Sequence, residues 1–316
     1  MFYQTTNVPS EHLYMYFKAE GAEKFLENHS LKLSNPRRCN DPFEYAIDYN
    51  ASLKTTGYID THPYDEQLNE RDIRDLQAKW WEAHKHFRIS CFTEEATNIL
   101  MWAYYAEGQK GICIEFDPSK DPLFFENLRK VKYRTKLATI EKGIGDELDY
   151  SEILITKAEQ WKHENEWRVI RDDLYGDFFP ISPQAITSVI FGCTSANYYN
   201  NEYVRSDIYE KIFQILQRPE YAHIQLKCIS RAPEDFQLRC IDMPFLILAK
   251  GPHTFSFIST KKQGLQIWLC NDDRNTPIYE TVVSQWEKTT ITLPNGYYVV
   301  SNAVDDNSIR LQVFDE

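Results

Sequence analysis

Residues 87–92 read Phe87-Arg88-Ile89-Ser90-Cys91-Phe92, with the alternating side chains that are typical of a β-strand. Apolar side chains at helical spacing follow over residues 97–106, and an apolar run over residues 111–116 ends at Asp117-Pro118. A strand, a helix and a second strand in close succession indicate helices packed on a sheet. We therefore predict an α+β fold, with a mixed sheet and flanking helices.

Further elements of the same kind lie on both sides of this stretch. Runs of strand length occur at residues 12–18, 31–34, 131–134, 166–171, 186–192, 224–229 and 237–241. Helical periodicity or helix-forming composition occurs at residues 22–27, 65–86, 150–163 and 207–217. We assign all of these elements to one domain, residues 1–242.

The pattern changes at Met243. From there on, short β runs are separated by turn signals, and they occur at residues 245–249, 254–259, 265–269, 289–293, 297–301 and 309–314. Pro294-Asn295-Gly296 is a strong hairpin signal between two of these runs. The sequence therefore predicts a small, all-β, sandwich-like domain over residues 243–316, packed against the first domain.

Composition and charge restrict the class of protein. The net charge is −12, and an acidic surface repels the phosphate backbone, so we expect no broad nucleic-acid binding. We expect neither a secretory signal nor a transmembrane helix, because no apolar stretch approaches the required length. The seven cysteines are spread singly without a CxxC pair, which favours free thiols over a disulfide framework or a zinc site. These features predict a soluble, cytoplasmic protein without a dedicated metal centre.

The segment Glu164-Asn165-Glu166-Trp167-Arg168 is the main candidate for a functional site. If a strand begins here, Glu166 and Arg168 share one face while Trp167 lies on the other. Two carboxylates followed by an arginine suit a ribose diol and a nearby anion, and Trp161 and Trp167 favour a ring-lined recess. The alternative is an ion pair between Glu166 and Arg168 on a solvated face, which contributes little to stability.

Three other motifs have both a structural and a functional interpretation. Asn40-Asp41-Pro42 is typical of an Asx turn or a helix cap, and contact with substrate or metal is the alternative. Ser90 to Thr93 end a strand before a helix, where N–H groups can meet an anion, but Cys91 has no recognisable partner histidine and is expected to be buried and structural. Residues 130–134 form a basic strand face, either a solvated edge or a phosphate track.

Four segments stand in a characteristic order and spacing. They are Leu33-Ser34-Asn35-Pro36 leading to Asn40-Asp41-Pro42-Phe43-Glu44, Ser90-Cys91-Phe92-Thr93 leading to Met101-Trp102-Ala103-Tyr104-Tyr105-Ala106, Lys110-Gly111-Ile112-Cys113-Ile114-Glu115-Phe116-Asp117, and Trp161-Lys162-His163-Glu164-Asn165-Glu166-Trp167-Arg168. Together they resemble a widespread prokaryotic family of unknown function, domain family 2971, over about residues 12–240. The resemblance leaves the β domain unexplained and implies little about activity.

More distantly, three elements look like the arrangement of ADP-ribosyltransferases. In chain order they are Tyr14, Tyr16 and Lys18 on an early strand, Ser90-Cys91-Phe92-Thr93 in the middle, and Glu164-Asn165-Glu166 late in the domain. This resemblance implies NAD as a substrate, with Glu166 and Glu164 as catalytic carboxylates. It further implies stacking by Tyr14, Tyr16 or Trp102 and pyrophosphate contact by Arg168 or Lys18. The remaining implied substrate contacts are Ser34, Asn40, Asp41, Ser90 and Tyr105.

Three hypotheses of function stay open. The first is an NAD-consuming ADP-ribosyltransferase or NAD glycohydrolase, acting as a bacterial toxin or phage-defence effector, with the C-terminal β domain as a sensor or partner surface. The second is a metal-dependent nuclease or phosphohydrolase that gathers Asp41, Glu44, Glu115 and Glu166 around Mg²⁺. The third is a non-catalytic module whose aromatic recess binds a nucleotide or a peptide.

Overall fold

The computed structural model describes most of the N-terminal 242 residues and the strands that follow them. The described residues are 12–36, 41–61, 64–143, 147–172, 176–192, 207–216, 218–232, 235–242, 246–249, 253–259, 265–270, 277–283, 288–293, 296–302 and 311–315. The helices are α1 (Ala19–Asn28), α2 (Tyr49–Thr55), α3 (Tyr58–Thr61), α4 (Glu66–Ala83), α5 (Ile99–Tyr105), α6 (Ser151–Ile155) and α7 (Asp207–Leu216). None of the helices in these ranges is long and apolar enough to cross a membrane.

One large mixed sheet organises the chain up to residue 242. The strands of this region are β1 (Leu13–Phe17), β2 (Ser30–Lys32), β3 (Phe87–Thr93), β4 (Ile112–Phe116), β5 (Leu128–Lys130), β6 (Lys132–Arg134), β7 (Glu141–Lys142), β8 (Leu148–Asp149), β9 (Thr156–Ala158), β10 (Glu166–Asp172), β11 (Phe178–Pro180), β12 (Ile186–Phe191), β13 (Gln225–Arg231) and β14 (Leu238–Asp242). Eight of them form the sheet in the order β14-β13-β12-β4-β1-β3-β10-β5. Only the β12–β13 pair within it is parallel, so the predicted mixed sheet with helices is confirmed.

Helices cover both faces of this sheet. On one face, strand residues such as Ile114 and Trp167 pack with Phe25 of α1 and Ile212 of α7 in the largest core. On the other face, Ile89 and Ile170 pack with residues of α2, α4 and α6 in a second core. Burial of alternate strand residues on the two faces explains the strongly apolar strand sequences.

The helix predicted for residues 150–163 is wrong. The segment divides into α6, the strand β9 and a 3-10 turn over Glu159–Glu164. β9 pairs in parallel with β6, and this pairing turns the side chain of Lys157 toward buried carboxylates. Tertiary contacts of one buried lysine therefore override a helical pattern that looked amphipathic in sequence.

The C-terminal part contributes strands to two further sheets. They are β15 (Leu246–Ala249), β16 (His253–Ser259), β17 (Leu265–Cys270), β18 (Pro277–Val283), β19 (Lys288–Leu293), β20 (Gly296–Asn302) and β21 (Leu311–Asp315). The sheet orders are β15-β20-β17-β18 and β19-β16-β21, so β19 and β20 do not form the predicted hairpin because they belong to different sheets. The sequence also missed β18. The domain boundary at residue 242 and the sandwich remain predictions.

Candidate functional site

A row of polar side chains crosses one face of the large sheet. Cross-strand partners are Glu166 with Thr93, Thr93 with Tyr14, Tyr14 with Glu115, and Glu115 with Ser188. Directly paired residues project to the same face of a sheet. This polar row therefore brings residues from β10, β3, β1, β4 and β12 onto one surface, away from the largest core.

Five charged side chains from distant parts of the chain meet at the Glu166 end of the row. They are Glu44, Lys157, Glu164, Glu166 and Arg168, which we call the charge cluster, and each side chain is at most 9% exposed. Arg168 holds Glu166 in a bidentate contact, from Nε to Oε1 at 2.7 Å and from Nη2 to Oε2 at 3.2 Å. Arg168 Nη2 also donates to Glu44 Oε1 at 2.6 Å, and Nη1 donates to a main-chain carbonyl of α6 at 2.7 Å.

Lys157 joins the three carboxylates of the cluster. Its Nζ donates to Glu166 Oε2 at 2.8 Å, donates to Glu164, and lies 3.7 Å from Glu44 Oε2. Three carboxylates therefore face only two cations, which leaves one negative charge uncompensated when all five groups are ionised. In a desolvated setting, such an excess is complementary to a positively charged ligand or transition state.

Two residues in left-handed backbone conformations place these carboxylates. Tyr45, which follows Glu44, has φ = 61°, and Asn165, which separates Glu164 from Glu166, has φ = 43°. The ring of Tyr45 packs against the Arg168 guanidinium, with Cζ 5.2 Å from the ring centre. Left-handed conformations cost energy in residues with a Cβ, and asparagine tolerates them better than tyrosine. The surrounding packing therefore holds Glu44 in place at an energetic cost, a pattern found at functional sites.

The two carboxyls that contact Arg168 have pKa values displaced in opposite directions. Burial raises the pKa of Glu166, but Arg168 and Lys157 outweigh burial and lower this pKa to about 2. Burial also raises the pKa of Glu44, and there the two cations do not compensate for it. Glu166 therefore stays ionised at neutral pH, and Glu44 is the carboxyl that takes up a proton more readily. Neighbouring carboxyls with divergent pKa values suit separate acid–base roles.

Aromatic side chains line the cluster. Tyr105 donates its hydroxyl hydrogen to Glu164 Oε1 at 2.7 Å, and the Tyr133 hydroxyl oxygen accepts the Glu166 backbone N–H at 2.8 Å. Burial and the neighbouring Glu164 raise the pKa of Tyr105, so its hydroxyl remains a donor. The ring of Trp161 lies 5.3 Å from Lys157 Nζ. Trp161 therefore contributes to a ring-lined environment, as its position in the sequence suggested, whereas Trp167, the other ring expected there, lies in the largest core on the opposite face of the sheet.

The sheet opens beside the charge cluster. β1 pairs with β3 at one position, Tyr14 with Thr93, and an isolated bridge joins Ile89 of β3 to Ser34. Between these two contacts, no residue in the described part of the chain pairs with Cys91 on this side of β3. Hydrogen-bonding directions alternate along a strand, and Ile89 exchanges both backbone bonds with Ser34. The backbone N–H and C=O of Cys91 therefore point into the opening, which we call the gap.

The side chain of Cys91 marks an entrance to the cluster. Cys91 pairs directly with Arg168 on β10 and is exposed to solvent, so the expectation of a buried structural cysteine is wrong. The strands part at this point, and solvent reaches a thiol that still lies among many protein atoms. Desolvation and the negative charge of Glu166 raise the pKa of Cys91 well above its ordinary value. The thiol is therefore protonated at neutral pH and hydrogen-bonds to Glu166 instead of acting as a thiolate nucleophile.

Glu115 belongs to a separate polar group at the other end of the row. It accepts hydrogen bonds from Tyr14 at 3.0 Å, from Ser188, and from Lys227 at 3.1 Å. Burial raises the pKa of Glu115, and Ser188 and Lys227 outweigh it and lower the pKa overall. Glu115 is thus a saturated acceptor with its own cation, apart from the charge cluster.

The structure brings together four of the residues predicted from sequence. Glu164, Glu166, Arg168 and Tyr105 all belong to the cluster or contact it. Tyr14 lies in the polar row but uses its hydroxyl on Glu115.

Other predicted contacts lie elsewhere. Ser90 pairs with Val169, whose side chain lies in the largest core, so the pleat turns Ser90 away from Glu166. Trp102 is fully buried and donates its indole N–H to Ala96, which leaves no ring face for a ligand. Tyr16 is buried in edge contact with Trp102.

The remaining candidates have structural roles or lie outside the described part. Lys18 is exposed at the opposite end of β1 and precedes α1. Ser34 bridges to Ile89, and Asp41 Oδ1 accepts the Phe43 N–H in the Asx turn predicted for it. Asn40 lies outside the described residues.

Two alternatives from the sequence lose their geometric basis. The four carboxylates proposed for Mg²⁺ do not assemble, because Glu115 lies in the other polar group, and within the described ranges no group of three such side chains is placed so that it could hold a metal ion. The basic face of residues 130–134 is salt-bridged, since Lys130 pairs with Glu94 at 2.9 Å, and Lys132 and Arg134 share Glu152 at 2.5 and 2.8 Å. These ion pairs favour the interpretation of this face as a solvated edge.

Sequence reasoning missed several members of the site. The sequence places Lys157 in a helix, offers Glu44 as a metal ligand, names Thr93 only as part of the Ser90–Thr93 motif, and does not single out Tyr133. One signal was present in the sequence: Thr93 and Cys91 stand two residues apart on a strand, so their side chains lie on the same face, opposite to that of Ser90. The convergence of Glu44 with Arg168, 124 positions apart, left no local signal.

Comparisons with known proteins add one match. A family model described as "Protein of unknown function (DUF2971)" matches residues 101–169. The match supports the resemblance to that family over this stretch, which includes most of α5, all of β9 with Lys157, and the Glu164–Arg168 segment. No curated protein and no solved structure matches the chain. These comparisons lend no support to an ADP-ribosyltransferase arrangement. Any argument for that activity therefore depends on the chemistry of the site alone.

Proposed function

We propose that the gap beside the charge cluster binds NAD and that the protein cleaves the nicotinamide–ribose bond, as an ADP-ribosyltransferase or NAD glycohydrolase. The observation that carries this proposal is the position of an open strand edge at Cys91 next to the ionised carboxylate of Glu166. Glu166 and Cys91 are diagonal neighbours on β10 and β3 and hydrogen-bond to each other.

The gap suits a carboxamide. A carboxamide presents one acceptor and one donor in a plane, as a peptide unit does. The N–H and C=O of Cys91 offer the complementary donor and acceptor without a change in the sheet. A nicotinamide ring seated there would lie within reach of the cluster, with its carboxamide paired to the strand.

The charge of the cluster suits the reaction. The nicotinamide ring of NAD is cationic, and breaking its bond to ribose transfers positive charge to the sugar. A preorganised carboxylate in a desolvated site stabilises such charge far more than it would in water. Glu166 is ionised and fixed by Arg168, and the cluster carries one excess negative charge, so both features favour this transition state.

The residues then divide the proposed step between them. The bond from the ribose carbon to the nicotinamide nitrogen breaks, and its electron pair leaves with neutral nicotinamide. Glu166 stabilises the oxocarbenium-like sugar while water or an acceptor hydroxyl forms the new carbon–oxygen bond. The proton released by that nucleophile passes to Glu44, whose raised pKa makes it the better base of the two carboxylates. Tyr105 and Lys157 hold Glu164 away from this exchange.

A second function has one specific observation in its favour. Both oxygens of Glu166 already have donors, since Arg168 contacts each of them and Lys157 contacts Oε2. A carboxylate that is saturated in this way is equally suited to a rigid, non-catalytic pocket. The alternative is therefore a module that binds a nucleotide in the gap without turnover.

Release of nicotinamide tests the two functions directly. Purified protein is incubated with NAD, with and without cell lysate as a source of acceptors, and free nicotinamide is quantified by chromatography. We expect release by the wild type and a loss of at least about a hundredfold in Glu166→Gln, since removing one preorganised electrostatic group commonly costs that much. Glu152→Gln is the matched control, because Glu152 also bridges two cations, at the surface, and should retain full activity. If NAD binds but neither the wild type nor the variants release nicotinamide, the non-catalytic binding module is favoured.

We further propose that this activity operates in the bacterial cytoplasm, in a toxin or phage-defence effector. Unrestrained cleavage of NAD is harmful to a cell, so such an enzyme needs a trigger, and we assign the strands from β15 onward to a partner or sensor surface. Expression in a bacterial host, with NAD measured by mass spectrometry before and after phage infection, tests this role. NAD should fall with the wild type and not with Glu166→Gln. Equal NAD levels in both cultures would contradict it.

A further inference from the structure

Helix α5 is fastened at both ends to the turn that carries Glu164. At its start, Asn98 Nδ2 donates to the main-chain oxygen of His163 at 2.7 Å, while Asn98 Oδ1 caps the helix. At its end, the Tyr105 hydroxyl donates to Glu164 Oε1 at 2.7 Å. Neither link is needed for the helix itself, because the cap uses only the other atom of the Asn98 amide. Both links fix the turn relative to the sheet.

The turn that carries Glu164 also determines the position of the Lys157 ammonium group. Lys157 divides its Nζ protons between Glu164 and Glu166 at hydrogen-bond distance, and lies farther from Glu44. Glu164 Oε1 is bound by Tyr105 while its Oε2 faces Lys157, so the tyrosine supplies part of the stabilisation that Glu164 requires. A shared buried ammonium moves toward whichever carboxylate is less well satisfied by other donors.

We infer that α5 positions the reactive carboxylate through the relay Tyr105–Glu164–Lys157–Glu166, which makes Tyr105 and Asn98 positioning residues of the site. The meaning of this relay for turnover rests on the proposed function, but the relay itself is a property of the buried charges. Loss of the Tyr105 hydroxyl draws Lys157 toward Glu164. Glu166 then loses a cation and presents a stronger negative field to its neighbours.

Cys91 reports that field independently of any catalytic activity. It is exposed and hydrogen-bonds to Glu166; its thiolate is disfavoured first by desolvation and then by Glu166, and is favoured by Arg168 and Lys157. The other charged or titratable groups that surround this network are Glu44, Glu164, Tyr45, Tyr105 and Tyr133. Only the thiolate reacts with an alkylating reagent, so the rate at a fixed alkaline pH measures how far the local field suppresses it.

The experiment measures alkylation of Cys91 by iodoacetamide in the full chain. Rates over a series of pH values are followed by mass spectrometry of the peptide containing Cys91, which separates it from the other cysteines. Tyr105→Phe should slow the reaction several-fold below the thiol pKa, about tenfold for each unit by which that pKa rises. Asn98→Ser, which keeps a capping oxygen but loses the amide donor to His163, should slow it in the same direction and by less. Glu166→Gln should accelerate it.

Tyr104→Phe is the matched control, since Tyr104 is the neighbouring tyrosine of α5 and is 59% exposed. Its rate should equal that of the wild type. Unchanged alkylation in Tyr105→Phe, with Glu166→Gln accelerated, would overturn the relay, and so would equal slowing in Tyr104→Phe. If Glu166→Gln leaves the rate unaltered, Cys91 does not sense Glu166 and the inference also fails.

The relay and the proposed function fail in distinguishable ways. If Tyr105→Phe slows alkylation but no protein releases nicotinamide, the relay stands and the proposed reaction falls. If nicotinamide is released, Tyr105→Phe should alter kcat with little change in KM, because the relay changes the field of Glu166 at the reacting bond, while the substrate is bound at the gap and not by Tyr105. A loss confined to KM would indicate a substrate contact and would contradict positioning.

Discussion

At the scale of single residues, Arg168 determines the state of the site. It is 1% exposed, and its guanidinium satisfies both oxygens of Glu166, one oxygen of Glu44 and a main-chain carbonyl. A buried ion pair of this kind stabilises the fold little compared with well-packed apolar side chains. Removal of the arginine, however, leaves two buried carboxylates without their counter-charge. The sequence predicted that Glu166 and Arg168 share a face; it did not predict that the face is buried.

Replacement of Arg168 should therefore be costly. We expect Arg168→Met to lower the free energy of unfolding by about 3–5 kcal/mol in urea denaturation, because it leaves uncompensated buried charge. Arg134→Met, which breaks a half-exposed contact with Glu152, should cost at most about 1 kcal/mol. The double variant Glu166→Gln/Arg168→Met should recover part of the loss. Equal effects of the two arginine substitutions would show that the cluster is not desolvated.

The depressed pKa of Glu166 predicts a dependence of stability on acid. The carboxyl has a pKa of about 2 in the folded chain against 4.5 for the free side chain, so its contribution is complete above pH 4.5 and is lost as the pH falls through 2. That contribution is on the order of 3 kcal/mol. Glu44 acts with the opposite sign, because its raised pKa makes protonation favour the folded state.

Comparison of stability profiles over pH isolates the contribution of the Glu166 carboxyl to the free energy of unfolding. The free energy of unfolding of the wild type, measured in urea, should fall as the pH is lowered from 4.5 to 2. Glu166→Gln should show a flatter profile over the same interval. Glu152→Gln, at a half-exposed pair, should follow the wild type. A Glu166→Gln profile parallel to that of the wild type would mean that this carboxyl has an ordinary pKa.

At the scale of elements, sequence patterns gave most strands correctly and failed where long-range contacts decide. Seven of the eight strands that build the large sheet have apolar or alternating runs, as packing against helices requires, whereas the edge strand β5 (Leu128–Lys130) has no such run and was missed. Residues 150–163 carry the same apolar spacing as a helix, but pairing of β9 with β6 and the demand of three carboxylates for Lys157 divide them. Ser90 was assigned to the site and Cys91 to the core because the parity of a strand is fixed only by its partners.

The joint between α5 and β4 provides a test at this scale. A Cβ on Gly111 would lie 2.2 Å from the Phe17 carbonyl oxygen and 2.9 Å from Ala106 Cα, so β1, α5 and β4 cannot keep their spacing. Gly111→Ala should lower the free energy of unfolding by about 3 kcal/mol or more. Gly108→Ala, in a left-handed conformation with open space, should cost about 1–2 kcal/mol, and Gly176→Ala almost nothing.

These three alanine substitutions are measured side by side by thermal and urea unfolding. Because α5 carries Tyr105, Gly111→Ala should also slow alkylation of Cys91, whereas Gly176→Ala should not. Equal stability of the Gly111 and Gly176 variants would contradict the close packing of this joint.

At the scale of the whole molecule, strand pairing divides at residue 242. Every described partner of β1 to β14 lies within that range, and β15 to β21 pair only among themselves. The charge cluster, the gap and both groups of the polar row belong to the first set. Separating the chain at residue 242 would therefore break no described strand pair. This agrees with the boundary predicted from the change in sequence pattern at Met243.

Truncation after residue 242 tests that boundary. We expect a chain of residues 1–242 to unfold cooperatively, with an unfolding midpoint within a few degrees of the same transition in the full chain, because the described members of its two main cores all lie within these residues. Circular dichroism melts and amide hydrogen exchange of β3 and β10 supply the measurement. A truncated chain without a cooperative transition would show that the strands from β15 onward are part of the same folding unit, and a cut inside the large sheet, before β13, serves as the control that should not fold.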